Sequence, residues 1–204
     1  MLAICSAILA LLLGAPAHAA TPFAPIPADQ TGGNTTGLEM RVVDYSGSVN
    51  GVIEVEVKNP TSQPVEFTAK GIYFVPDGNA DRAPQRLGAV GQFLVQTGKT
   101  WQRAKMTSIP AAASAHLKLD VYCIDSHRGS PSSTTSFHLA KTRMPHQVFE
   151  AIDHDSAAAA ALMGGVSAPA AKSTVQSEVW KDRDAHWVPL DGEGKQEEGK
   201  AAQK

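Results

Sequence analysis

The sequence predicts a mostly β, α+β fold: an Ig-like antiparallel β-sandwich over residues 37–124, followed by a small helical C-terminal region over 125–188. Three observations predict it. Short segments in which apolar and polar residues alternate follow one another up to residue 124. Turn-forming Gly, Pro, Asn and Asp residues separate these segments. Beyond residue 124 the composition shifts to alanine-rich stretches, which favour helix.

The clearest strand is the segment VIEVEVK at 52–58, where Ile53, Val55 and Val57 point to one face and the polar residues between them to the other. Gly71 is expected to form a bulge or bend inside the segment 65–76. Further strands are expected at 86–95, 100–106 and 115–124. Six or seven short strands with turns between them are typical of an Ig-like sandwich.

The N-terminal residues predict export. Residues 1–19 have no charged side chain, and an apolar run at 2–13 is followed by Ala17-His18-Ala19, the small-residue pattern of a signal peptide cut before Ala20. The run is too short to be a transmembrane helix. Residues 20–36, rich in Pro, Thr and Gly, are expected to form a flexible or extended leader. We therefore expect a secreted, periplasmic or cell-surface protein.

The C-terminal region is expected to contain a loop at 125–136 and two helices. The first spans 144–165, where Pro145 suits a first helical position and Val148, Phe149 and Ile152 give a partial apolar face. The second is a short helix at 173–182. Residues 189–204 are charged and Gly-rich and predict a disordered tail.

The composition excludes several classes of protein. The net charge is −2, with both signs interspersed and no basic stripe, so we expect no nucleic acid partner. Of the two cysteines, Cys5 lies in the signal peptide, and a single remaining thiol cannot form a disulfide framework within its own chain. No cofactor is expected.

The remaining thiol, Cys123, lies at the end of the last predicted strand. It shares its face with Leu117, Leu119 and Val121, whereas Tyr122 belongs to the opposite face. This parity predicts a buried, inert thiol. Two other interpretations stay open. One is a catalytic pair with His127 as base. The other is a metal site of Cys123, His127 and some of the histidines at 138, 146, 154 and 186, whose irregular spacing is a weak signal.

Two short motifs carry a resemblance. Tyr122-Cys123-Ile124-Asp125 is followed at a distance by Gln176 and, four residues later, Trp180. Together they resemble the motifs of thioester domains in bacterial surface proteins, although Val175 and Glu178 depart from the second motif and the separation is short for that family. The resemblance covers residues 120–181 and leaves the preceding β region unexplained.

The resemblance implies an internal thioester between the thiol of Cys123 and the side chain of Gln176, which attaches the protein covalently to an amine-bearing protein or cell-surface partner. Trp180 would pack over the bond, and Asp125 or His127 would assist proton transfer. Such a protein is not an enzyme.

Other interpretations of Gln176, Cys123 and His127 stay open. Gln176 also fits a helix capping box with Ser173, which would need no chemistry. The alternative functions are then a plain structural or binding Ig-like module with a buried thiol, and a thiol- or metal-dependent enzyme using Cys123 and His127.

Overall fold

The computed structural model describes residues 21–28, 37–47, 51–163, 169–185 and 189–191. The predicted signal peptide and most of the predicted tail lie outside the described residues. Within these ranges lie ten strands and two helices, in chain order β1 Ala24–Pro25, β2 Glu39–Ser46, β3 Val52–Lys58, β4 Val65–Phe67, β5 Tyr73–Pro76, β6 Leu87–Thr97, β7 Thr100–Ala104, β8 Thr107–Ile109, β9 Ser114–Cys123, β10 Phe137–Leu139, α1 His146–Met163 and α2 Pro169–Ala185.

The described strands pair antiparallel throughout. One sheet has the order β1-β2-β3-β9-β6-β5-β10, with β7 hydrogen-bonded to β6, and β4 and β8 form a separate two-stranded sheet. Strand β10, at one end of the large sheet, contacts β2 near the other end, so the sheet nearly closes on itself. The predicted mostly β fold with a helical C-terminal region is confirmed at this level.

The inside of the curved sheet holds the larger core. The alternation in β3 is confirmed, because Ile53, Val55 and Val57 are fully buried. They pack in one cluster with the apolar residues of β9, β2 and β6. Gly71 has a φ of 69°, in the left-handed region. This conformation favours glycine, and the chain bends there, between β4 and β5, as the sequence predicted.

The two helices cover the outer face of the sheet. The predicted apolar face of α1 is confirmed, since Val148, Phe149 and Ile152 are all buried in a second cluster. Helix α1 packs against β6 and against α2, and α2 packs against β9. Because α2 begins at Pro169, Ser173 lies inside the helix, and the predicted capping box is wrong.

Parts of the predicted leader and tail pack against the sheet. Residues of β1 pair with β2, and Ile26 is buried. After α2, Leu190 is buried in the second cluster and the backbone and side chain of Asp191 are both hydrogen-bonded. Ile26 and Leu190 are isolated apolar residues in segments without hydrophobic periodicity, so the sequence does not predict that they are buried. Among the described residues, no helix is long and apolar enough to cross a membrane.

Candidate functional site

Cys123 lies at the C-terminal end of β9 and is fully buried. Its side chain packs in the larger core with Leu117, Leu119 and Val121, so the predicted parity of this strand is confirmed. Within the part of the chain that the structure describes, Cys123 forms no disulfide bond. The thiol therefore lies in the larger core, on the inner face of the curved sheet. The backbone of Cys123 is available for hydrogen bonds at the edge of β9.

On one side, the backbone of Cys123 lies beyond the last residue pair that β9 forms with β3. The last pair between the two strands is Val52 with Asp120, and the carbonyl of Gly51 accepts a final hydrogen bond from the N–H of Val121 at 3.1 Å. On the β6 side, Ile124 donates to the carbonyl of Arg86. Successive residues of an antiparallel strand direct their backbone groups to opposite sides. The N–H and C=O of Cys123 therefore point to the same side as the N–H of Val121, which is the side of β3.

The side chain of Gln176 occupies that side. The N–H of Cys123 donates to Oε1 of Gln176 at 2.9 Å, and Nε2 of Gln176 donates to the carbonyl of Cys123 at 2.6 Å. The carboxamide thus bonds both backbone groups as a further strand residue would, and it is itself buried. The structure brings together the two residues that the resemblance paired.

Helix α2 reaches this position through its apolar side chains. Val175 and Val179, four residues apart, are buried in the cluster between the helices and the sheet. Gln176 and Trp180 share the adjacent stripe. Trp180 packs against the larger core, which contains Cys123, and its indole N–H donates to Oε1 of Gln85 at 3.0 Å. Trp180 therefore lies one turn beyond the carboxamide, as the resemblance implies.

Asp125 forms a fully buried ion pair with Arg86. Its Oδ2 accepts from the backbone N–H of Arg86 at 3.0 Å and from Nε at 2.8 Å, and its Oδ1 accepts from Nη2 at 2.5 Å. Burial alone would raise the pKa of Asp125, but the hydrogen bonds and charge of Arg86, with a smaller effect of the Arg183 charge, lower the pKa below its ordinary value. An anionic carboxylate committed to Arg86 is a structural anchor and a poor proton donor.

Two predicted supporting residues lie elsewhere. Tyr122 faces the helices, where burial raises the pKa of its hydroxyl well above the ordinary value, and this hydroxyl has no hydrogen-bond partner among the described residues. His127 is exposed in the turn that follows β9, whereas the thiol of Cys123 is fully buried.

Three further histidines, His138, His146 and His154, each contact an acidic side chain. His138 contacts Asp77 at 2.7 Å, and His146 contacts Glu150 at 3.0 Å. No group of three or more His, Cys, Asp or Glu side chains that could hold a metal ion occurs within the described ranges. His186 lies outside them.

Arg86 and Gln85 belong to this site but carry no signal in the sequence. Both are buried immediately before β6, whose first residue, Leu87, pairs with Cys123 at the end of β9. A charged residue at the start of an alternating segment is typical of a strand end that faces solvent. Only the long-range pairing of β6 with β9 shows that Arg86 has a buried partner.

The geometry has one chemical consequence. The N–H of Cys123 donates to the carbonyl oxygen of the Gln176 carboxamide, which withdraws electron density from its carbon. A hydrogen-bond donor at this oxygen also stabilises the negative charge that forms on it when a nucleophile adds to the carbon. The carboxamide of Gln176 is therefore polarised by the same residue that supplies the thiol.

Comparisons of the chain with models of protein families, with curated proteins and with solved structures found no match. The resemblance to bacterial thioester domains stays a prediction from the two motifs.

Proposed function

We propose that this protein is an exported, non-enzymatic surface or interaction module that attaches covalently to amines through a thioester between Cys123 and Gln176. The observation that carries the proposal is the pair of hydrogen bonds that joins the Gln176 carboxamide to the backbone of Cys123. These bonds hold a polarised acyl carbon beside the residue whose thiol is the nucleophile.

The thioester forms when the sulfur of Cys123 replaces the amino group of the Gln176 carboxamide. The sulfur of Cys123 adds to Cδ of Gln176, the C–N bond breaks, and the thiol proton leaves with the amino group as ammonia. During this step the N–H of Cys123 stabilises the charge on Oε1. An external amine then adds to the same carbon, the C–S bond breaks, and the amine proton is transferred to the sulfur. The product is an amide between Gln176 and the acceptor, and the thiol of Cys123 is restored.

Burial suits a waiting acyl donor. Both Cys123 and Gln176 are almost inaccessible to solvent. A thioester from which the surrounding protein excludes water hydrolyses slowly. Trp180 packs against the core beside them and is tied to Gln85. The partner chemistry follows from the reaction: a primary amine, such as a lysine side chain of a protein or cell-surface component.

Export and the finer architecture belong to the same proposal. The uncharged apolar N-terminus supports export. The Ig-like sandwich is supported by the antiparallel pairing of all described strands.

A second candidate function rests on the same hydrogen bonds. In a plain structural or binding module, the carboxamide of Gln176 simply completes the hydrogen bonding of a strand end and docks α2 on the sheet. The thiol of Cys123 is then core packing. The third candidate, an enzyme using Cys123 and His127, would require the exposed imidazole of His127 to act on a fully buried thiol.

Intact mass distinguishes the two candidates. A thioester makes the exported chain lighter than its sequence mass by one ammonia, and methylamine raises the mass by one methylamine as the bond opens. The Cys123→Ala and Gln176→Ala variants should both show the plain sequence mass and no reaction with methylamine. Gln96→Ala, at an exposed position of β6, serves as the matched control and should behave like the wild type.

A plain sequence mass for the wild type, unchanged by methylamine, would overturn the thioester. The plain module would then be the function that the structure supports, and its partner would have to be found through surface contacts.

A further inference from the structure

The large sheet leaves one seam open. Strand β10 is its last strand and pairs only with β5 among the described strands, although it also contacts β2. At one end of this seam the rings of Tyr45 and Phe137 meet edge to face, with centroids 5.0 Å apart. At the other end lies a cleft of about 700 Å³, lined by β10, by β2 and by the leader that contains β1. An unpaired strand edge therefore borders an open cleft.

The outer edge of β10 presents backbone groups to this seam. The N–H of Ala140, which follows β10 directly, donates to the carbonyl of Tyr73 on the β5 side. Successive residues of an antiparallel strand direct their backbone groups to opposite sides. The N–H and C=O of Phe137 and Leu139 therefore point away from β5, and Leu139 lines the cleft.

A proline prevents β1 from extending the sheet across the cleft. The N–H of Ile26 donates to the carbonyl of Leu38, so the backbone of the preceding residue, Pro25, is directed away from β2. Proline has no N–H and cannot donate to a neighbouring strand. Pro25 also lines the cleft. Of the two edges that border the cleft, β10 is therefore the one that can pair fully with an added strand.

The charged residues that line the cleft leave one positive charge at its rim. Arg41 is paired with Glu56 at 2.6 Å, and His138 with Asp77 at 2.7 Å. The ammonium of Lys141 forms no ion pair with any described residue. The rest of the lining is mostly apolar and includes Met40, Val42, Leu139 and prolines of the leader. The site is thus complementary to an apolar segment that carries a carboxylate beside Lys141.

We propose that the cleft binds an extended peptide segment of a partner protein, which adds as a strand to the outer edge of β10 and places an acidic side chain at Lys141. Backbone hydrogen bonds to Leu139 and Phe137 hold the segment, and its alternate apolar side chains enter the cleft. An apolar molecule without amide groups would leave these backbone groups without partners, which favours a peptide. The inference goes beyond the covalent attachment proposed above and does not depend on it.

A model peptide tests strand addition directly. The probe is Glu-Thr-Val-Thr-Val-Thr-Glu, acetylated and amidated at its ends, titrated into the isotope-labelled full chain and followed by amide NMR signals. The signals of Phe137 and Leu139 should shift, and the amide of Leu139 should exchange more slowly with solvent. Two further peptides carry N-methyl groups, one on both valines and the other on the three threonines. Because alternate amides of an added strand face β10, at least one of these peptides should bind about tenfold more weakly.

Lys141 provides the test of charge complementarity. Lys141→Ala should weaken binding of the probe about twofold to fivefold, the effect of losing an exposed ion pair. Replacing both glutamates of the probe by glutamine should cost about the same. Lys141→Ala should then have no effect on the glutamine peptide, because the partner charge is already absent. The matched control is Lys99→Ala in the exposed turn between β6 and β7, which should bind every peptide like the wild type.

Three outcomes would overturn the proposal. The first is a probe that shifts no signal of β10. The second is binding in which both N-methylated peptides match the parent, which would mean apolar docking without strand pairing. The third is an equal effect of Lys141→Ala on the glutamate and glutamine peptides. None of the peptides has a primary amine, so they cannot open a thioester, and failure here leaves the mass test of the thioester unaffected.

Discussion

The carboxamide of Gln176 on α2 bonds both backbone groups of Cys123 at the end of β9, beyond the last residue pair that β9 forms with β3. A helix side chain here completes the hydrogen bonding of a sheet. The same contact docks the helical region and places an acyl group beside the thiol. Its loss therefore has a structural consequence whether or not the thioester forms.

We expect Gln176→Ala to lower the free energy of unfolding by about 2–4 kcal/mol, because it leaves the buried N–H and C=O of Cys123 without partners. Urea denaturation monitored by circular dichroism measures the change. The control Gln96→Ala, at an exposed strand position, should stay within about 0.5 kcal/mol of the wild type. A loss as small as that of the control would mean that water replaces the carboxamide and that Gln176 is not a docking contact.

The buried pair of Arg86 and Asp125 predicts strong non-additivity. Arg86→Met or Asp125→Leu alone should destabilise the protein by about 3–5 kcal/mol, because each leaves the other charge buried without its principal counter-charge. The double variant should lose clearly less than the sum of the two. Urea denaturation of the four proteins gives the coupling energy. Additive losses would show that the two side chains do not act as a pair.

Asp125 also predicts a loss of stability in acid. Its pKa is lowered in the folded protein, so between the folded and unfolded pKa values the unfolded chain binds more protons. The stabilisation is complete above the unfolded pKa, about 3.9, and is lost as the pH falls below it through the folded pKa. Asp125→Asn should remove part of this acid sensitivity, as urea midpoints at pH 7 and pH 3 would show. An equally steep loss in the variant would place the acid sensitivity in other carboxylates.

Two buried tyrosines of the second cluster should respond differently to loss of the hydroxyl. The hydroxyl of Tyr73 forms a hydrogen bond of 2.8 Å with Oγ1 of Thr142 and accepts one of 2.9 Å from the N–H of Asp191. The hydroxyl of Tyr122 has no hydrogen-bond partner among the described residues. Tyr73→Phe should cost about 1–3 kcal/mol, and Tyr122→Phe should be neutral or stabilising. Thermal melting compares them. A marked loss in Tyr122→Phe would reveal a partner for its hydroxyl.

Local periodicity accounts for what the sequence could predict of this fold. A strand has a period of two residues, so the alternation in β3 and β9 shows which side chains face the core, including Cys123. The apolar face of α1 follows from helical spacing in the same way. These patterns need only neighbouring residues and carry no information on which strands pair.

The rest of the site depends on contacts between distant segments. Arg86 is buried because β6 lies beside β9, and Asp191 is held because the chain returns to β5 after α2. Neither contact leaves a periodic signal. Only the motif points to Gln176, and the alternative of a capping box is wrong because α2 begins a full turn before Ser173. A helix start within an alanine-rich segment is poorly defined by sequence, since alanine favours every helical position.

The environment of Asp155 on α1 indicates that removing its charge would stabilise the protein. Its Oδ2 is buried and has no hydrogen-bond partner among the described residues. Burial raises the pKa of Asp155, the hydrogen bond with His154 lowers it, and the charges of Asp182 and Glu178 on α2 raise it further, with a net rise. The ionised carboxylate is therefore unfavourable in the folded state, and stability increases as the pH falls through the raised pKa.

We expect Asp155→Asn to raise the free energy of unfolding at pH 7 by up to about 1 kcal/mol, because the amide carries no charge at any pH. The gain should shrink as the pH falls toward the unfolded pKa of about 3.9, where the wild-type carboxyl is also neutral. Urea midpoints between pH 7 and pH 4 measure it, with the exposed Glu66→Gln of β4 as the charge-matched control. The interpretation fails if the gain is the same at every pH, since the effect would then come from packing and not from the buried charge.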